Sequence, residues 1–202
     1  ALCDGCGECS DFCEYNAIVT FGTVPYISPD LCHGCGGCQL VCPKKAITET
    51  SRRIGVVKTA EMEQVSLVEG RADIGSTLTP TLIRAVKNEA SGAELTILDA
   101  PPGTSCPMIT TLQGADFVVL VTEPTPFGLN DLELAVGAVR ELGLPFGVVI
   151  NKADSGDDRV LAWCRDNHIT VLAEIAEDRR IAEAYSRGEA LVAALPDYRD
   201  LF

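Results

Sequence analysis

From about Arg53 onward, runs of apolar residues alternate with segments whose apolar positions recur at helical spacing. Ile54–Thr59 and Gln64–Glu69 read as two strands of a hairpin or crossover, and Val24–Leu31, further upstream, as a short strand and turn. Thr79-Pro80 is a helix start, with Thr at the N-cap and Pro at the first helical position, leading Leu82, Ile83 and Val86 along one face. Glu94–Asp99, Phe117–Thr122, Phe146–Asn151 and Thr170–Ile175 are expected as strands, the first of them buried and ending in Asp. Helices are expected at about Asn130–Leu142, Asp157–Asn167 and Asp178–Gly188. Alternation of this kind predicts an α/β fold: a parallel sheet with helices on both faces and ligand sites beyond the carboxyl ends of the strands.

Composition narrows the class. Of 202 residues, 47% are apolar and 22% charged, enough for a core and too apolar for disorder. Apolar stretches such as Phe117–Val121 and Phe146–Ile150 fall far short of a membrane span. With 16 basic and 29 acidic residues the net charge is -13. Binding to nucleic acid or to anionic lipid is therefore not expected.

The ten cysteines change the picture. Eight lie at positions 3, 6, 9, 13, 32, 35, 38 and 42, as two sets of C-x2-C-x2-C-x3-C. A shift of 29 residues lays the first set on the second, Gly5 on Gly34, Gly7 on Gly36 and Ala17-Ile18 on Ala46-Ile47. This is an internal duplication. Disulfides suit small secreted chains, and no export signal stands here; the close thiols also crowd three independent bridges. Zinc prefers two separated pairs. A 4Fe–4S cube fits best, with three irons wrapped by one set and the fourth held by the remote Cys of the other. Cys3, Cys6, Cys9 and Cys42 are thus assigned to one cluster, and Cys32, Cys35, Cys38 and Cys13 to the second. Such thiols imply a reducing compartment, the cytoplasm.

Residues 3 to about 50 resemble a bacterial-type two-cluster ferredoxin, which sets the domains at 1–52 and 53–202. Glu14 stands where the pattern has the Pro that follows Cys42 as Pro43. The second Cys set follows a strand and turn, whereas only Ala1-Leu2 precede the first, so the repeat predicts a strand missing ahead of Cys3.

Two strand ends carry candidate nucleotide chemistry. Leu95–Gly103 delivers Asp99 and then a Pro-rich loop, the way a Walker B acid meets a Mg²⁺-bound nucleotide. Asn151-Lys152-Ala153-Asp154 resembles the base-reading motif of GTPases, although Asn-Lys is also plain turn chemistry. No G-x-x-x-x-G-K-S/T is present, and no Gly is followed by Lys.

Together with Asp99–Pro107, Val121–Leu132, Val149–Lys152 and Glu174–Tyr185, these features resemble MinD/Mrp-type P-loop ATPases with an inserted two-cluster ferredoxin domain. That group is cobyrinic acid a,c-diamide synthase-like and a distant relative of the nitrogenase iron protein. The resemblance implies an N-terminally truncated chain, whose α/β domain lacks its first strand and Walker A loop and hydrolyses no ATP alone. It implies ATP, Mg²⁺ and two 4Fe–4S clusters in the intact protein, homodimerisation, and electron transfer or metallocluster handling with a redox partner; the net charge of -13 favours a basic one. By the same resemblance Asp99 is the Walker B acid, Pro102 and Gly103 belong to switch II, and Asn151, followed by Lys152, contacts the base, adenine rather than guanine. Ala176 stands where the family has Pro. Cys106 is expected as a small packed loop residue, Cys164 as core-facing, and His33 as a solvent-facing loop residue. A stand-alone electron carrier with a docking α/β part is the competing reading.

Overall fold

The computed structural model describes residues 2–90 and 92–201, so Ala1, Ser91 and Phe202 lie outside it. It divides into two compact units, one ending at Leu98 and the other beginning at Asp99. Among the described residues no helix is long and apolar enough to cross a membrane.

The first unit opens with the duplicated segment. Short helices α1 (Glu8–Phe12) and α2 (Gly37–Val41) each begin inside a Cys set. Between them run β1 (Ile18–Phe21) and β2 (Val24–Ile27), an antiparallel hairpin pairing Ile18 with Ile27 and Phe21 with Val24. Both helices are entered through a left-handed glycine, Gly7 at φ 86° and Gly36 at φ 73°. A side chain is strained there, and the repeat keeps Gly at both places.

The expected hairpin follows as β3 (Gly55–Met62) and β4 (Val65–Ala72), antiparallel and longer than the apolar pattern alone indicated. Helix α3 (Thr79–Glu89) packs across it, with Val86 and Leu82 so close to Gly70 that a Cβ there would lie 2.5 Å from the Val86 methyl. The Thr79-Pro80 start shifts by one residue: Leu78 is the N-cap, and Thr79 is already helical and makes no side-chain cap.

Glu94–Asp99 is not the buried strand expected. It has no regular structure, and Leu95 and Ile97 are 79% and 87% exposed. Strand geometry needs a ladder partner, and among the described residues no strand pairs with this segment.

The second unit begins with α4 (Cys106–Leu112) and continues β5 (Val118–Thr122), α5 (Pro126–Glu141), β6 (Phe146–Asn151), α6 (Arg159–Asp166), β7 (Val171–Ile175), α7 (Arg179–Ser186) and α8 (Leu191–Ala194). A 3-10 turn, Pro196–Tyr198, comes last. β5, β6 and β7 form a parallel sheet in that order, as the strand–helix alternation predicts. Val118, Val148 and Ile150 point to one face, where Met108 and Leu112 of α4, Leu132, Val136 and Val139 of α5, and Val160 and Cys164 of α6 bury them. On the opposite face Val119 and Val121 stay exposed.

Helix α5 starts four residues before the expected Asn130. Thr125 caps it by accepting from the Gly128 N–H, with Pro126 at its first position. Cys164 is fully buried, as expected. Cys106 is not packed: it is the exposed first residue of α4, whose inward positions fall later, at Met108 and Leu112.

Candidate functional site

Helices α1 and α2 pack on each other, and Phe12 of α1 closes directly on Gly37 of α2, where any Cβ would overlap its ring. That approach carries Cys42, at the end of α2, over to the first Cys loop. Cys3, Cys6, Cys9 and Cys42 line one cavity of about 230 Å³. Thr20, Pro25 and Ile27 close it from the hairpin, and Ile47 closes it from the segment after α2. Thus three thiols of one set and the remote thiol of the other surround the same space.

Cys9 and Cys42 are half-buried, Cys3 and Cys6 exposed. Burial pushes the Cys9 thiol above its ordinary range, against backbone hydrogen bonds that pull it down, and the Cys42 and Cys6 thiols push further up. Cys38 is raised by burial in the same way, with Cys32 and Cys35 as its thiol neighbours. Of the second set, Cys13, Cys32 and Cys38 are half-buried and Cys35 is exposed. Backbone N–H groups already donate to sulfur at both places: Ala46 to Cys42 Sγ at 3.3 Å and Gly34 to Cys32 Sγ at 3.4 Å.

Among the described residues, no three His, Cys, Asp or Glu side chains converge tightly enough to hold one metal ion. Four thiols spread around a cavity, with N–H groups turned toward sulfur, instead suit a multi-iron group that meets each thiolate at a different corner. The donor set therefore fits an iron–sulfur cluster.

His33, expected to face solvent, is exposed, and its ring also stacks on Tyr15. No spacing rule announces that contact; it needs the two halves of the repeat to fold together.

At the carboxyl ends of β5 and β6 lies a second, more open pocket of about 370 Å³, lined by Thr122, Glu123, Thr125, Asp131 and Asn151 among others. Asn151 is thus at a strand-end pocket. Lys152, at φ 51°, pairs with the pocket-lining Glu123, 2.9 Å from its carboxylate. Asp154 accepts from the Glu177 N–H at 2.6 Å. Both charged residues of the Asn-Lys-x-Asp segment therefore tie the loop after β6 to its neighbours, Lys152 to the segment after β5 and Asp154 to the segment after β7. Asp99, Pro102 and Gly103 are exposed and do not line this pocket. Glu123 and Thr125 lie within Val121–Leu132, a segment the sequence marks only as a whole. Thr125 repeats the Thr-Pro signal used at Thr79, whereas Glu123 has no local signature.

Residues 2–46 match the 4Fe–4S dicluster domain family. Two uncharacterized proteins of Methanocaldococcus jannaschii are similar, at 29% identity over 77% of this chain and 54% of the relative, and at 34% over 74% and 53%. The chain spans about half the length of these relatives. An iron-sulfur cluster carrier protein of Aquifex aeolicus is 31% identical over 50% of this chain and 32% of its own. In fold, the septum site-determining protein MinD of Pyrococcus horikoshii, solved with Mg-ADP, superposes with a TM-score of 0.54 at 21% identity, over 69% of this chain and 60% of that one. The chain thus joins a 4Fe–4S dicluster domain, over residues 2–46, to a fold shared with MinD.

Proposed function

We propose that the chain binds two 4Fe–4S clusters, one on Cys3, Cys6, Cys9 and Cys42 and one on Cys32, Cys35, Cys38 and Cys13. It would act within a MinD/Mrp-like, ATP-binding protein that couples nucleotide binding to electron transfer or metallocluster handling. The observation that carries the reading is the cavity shared by Cys42 and the first three thiols of the other set. When bound, the clusters supply one-electron exchange. The chain's own groups hold the sulfurs: the Ala46 and Gly34 N–H groups donate to Cys42 Sγ and Cys32 Sγ.

On the nucleotide side, Asn151 is the base contact, Asp99 the acid facing Mg²⁺, and Pro102 and Gly103 the loop that senses the γ-phosphate. The phosphate cradle is not encoded in these 202 residues, since no Gly precedes a Lys. Isolated, the chain is therefore expected to turn over no ATP. A homodimer of the intact protein, a cytoplasmic location and a basic redox partner complete the reading, the last supported by the net charge of -13.

A second reading, a stand-alone electron carrier with a docking α/β part, is favoured by one observation: Asp99, Pro102 and Gly103 lie outside the strand-end pocket. Anaerobic reconstitution tests the common part. About eight iron and eight acid-labile sulfide per chain are expected. Zinc in their place, or about four of each, would sink the two-cluster assignment. Nucleotide binding by the full-length protein, abolished in Asp99→Asn, separates the two readings.

A further inference from the structure

The 29-residue shift that superposes the Cys sets also lays Asp4 on His33 and Tyr15 on Lys44. These four residues meet in pairs across the repeat. Lys44 Nζ lies 3.5 Å from Asp4 Oδ2. The Tyr15 and His33 rings stack with centroids 3.8 Å apart and planes 12° from parallel. Asp4 and His33 each follow the first thiol of a set; Lys44 and Tyr15 each stand two residues past the fourth thiol of the other set. Each pair therefore ties a three-thiol loop to the segment that brings its remote fourth ligand, Cys42 at one site and Cys13 at the other. The symmetric positions do the same mechanical job with different chemistry.

We propose that these pairs are latches that make the two sites unequal: an ionic latch leaves the Cys3/Cys6/Cys9/Cys42 site labile, and an aromatic latch keeps the Cys32/Cys35/Cys38/Cys13 site closed. The inference rests on the two-cluster reading above. Asp4 and Lys44 are each about half exposed, at 49% and 54%, so salt screens their attraction. Both also line the thiol cavity, so parting them opens that cavity to solvent. Stacked rings attract through dispersion and apolar contact, which salt does not screen. Solvent access at the thiols follows the same order, with Cys3 and Cys6 exposed at the first site and Cys35 alone at the second.

The test is anaerobic iron loss from the reconstituted full chain to excess EDTA, followed by the cluster absorbance at low salt and at about 1 M salt. Two phases of equal amplitude are expected, the faster one speeding up about three- to tenfold with salt and the slower one unmoved. Lys44→Gln should raise the fast phase at low salt and abolish its salt response. Tyr15→Ala should accelerate the slow phase, and Tyr15→Phe, which keeps the ring, should restore it. The transplant Asp4→His with Lys44→Tyr should slow the first phase and make it indifferent to salt, which keeps the proposal testable if Tyr15→Ala loads poorly. An undiminished salt response in Lys44→Gln, or a slow phase unchanged in Tyr15→Ala, would overturn the proposal. Uptake well below about eight iron per chain overturns the two-cluster reading itself, whereas full uptake with phases indifferent to these residues overturns only the latches.

Discussion

The Lys152 ammonium lies 2.9 Å from the Glu123 carboxylate and bridges the carboxyl ends of the neighbouring parallel strands β5 and β6. The contact holds the Lys152 pKa above its ordinary value, first through the hydrogen bond and then through the charge of Glu123. Glu123 and Asn151 line the same strand-end pocket, so the ion pair borders the place where a ligand of this fold would rest. Both side chains are more than two-fifths exposed. In a double-mutant cycle of Glu123→Gln and Lys152→Met, the thermal-denaturation coupling should be small and should vanish at about 1 M salt. A coupling that survives high salt would contradict a surface pair.

Gly5 predicts a sharper effect. At φ 73°, a Cβ would sit 2.6 Å from the Thr23 Cα, against backbone that cannot swing aside. Gly7, at φ 86°, has open space around the same position. Gly7→Ala should cost about 1–2 kcal/mol from the left-handed conformation alone. Gly5→Ala should cost more, because it adds a backbone overlap, and should lower iron uptake on reconstitution. Equal melting temperatures for the two variants would refute the close approach.

The two cysteines outside the repeat should separate cleanly by reactivity. Cys106 is exposed, while Cys164 is fully buried and burial pushes its thiol up. A thiol reagent applied to the native chain should modify Cys106 within minutes and reach Cys164 only after unfolding, as peptide mass mapping would show. Cys164→Ser should cost about 1–3 kcal/mol by burying a hydroxyl without a partner, and Cys106→Ser should stay within about 0.5 kcal/mol.

Asp178 gives a pH signature. Its carboxylate accepts from the Arg180 side chain, the Arg180 backbone N–H and the Tyr198 hydroxyl, which brings its pKa from 3.8 down to about 2. A depressed carboxylate pKa means the unfolded chain binds protons first. The contribution is therefore complete above about pH 4 and fades as pH falls toward about 2. The gap in melting temperature between the parent and Asp178→Ala should stay constant near neutrality and narrow through that window. A gap that widened on acidification would contradict the sign.

Much of this was legible locally. The strands β5, β6 and β7 are apolar runs with nothing to compete against them, and Cys164 sits on the apolar stripe of its helix. Thr125-Pro126 caps a helix through its hydroxyl, whereas the same dipeptide at Thr79-Pro80 does not cap, because the hydroxyl bond depends on where the chain enters. Leu95 and Ile97 show the limit most plainly. Their apolar alternation is strand-like, but a strand is completed by a neighbour's N–H and C=O groups, which no local pattern supplies.

By itself the sequence determined the duplication, the eight candidate ligands and the strand–helix order, because spacing along the chain fixes which thiols share a loop and which faces are apolar. Spacing already grouped Cys42 with Cys3, Cys6 and Cys9; tertiary structure supplied the cavity they line, and it alone decided that Asp4 meets Lys44 while Tyr15 meets His33. Those contacts join residues tens of positions apart, or opposite halves of the repeat. They exist only because α1 and α2 pack through Phe12 and Gly37, a close approach that neither segment encodes alone.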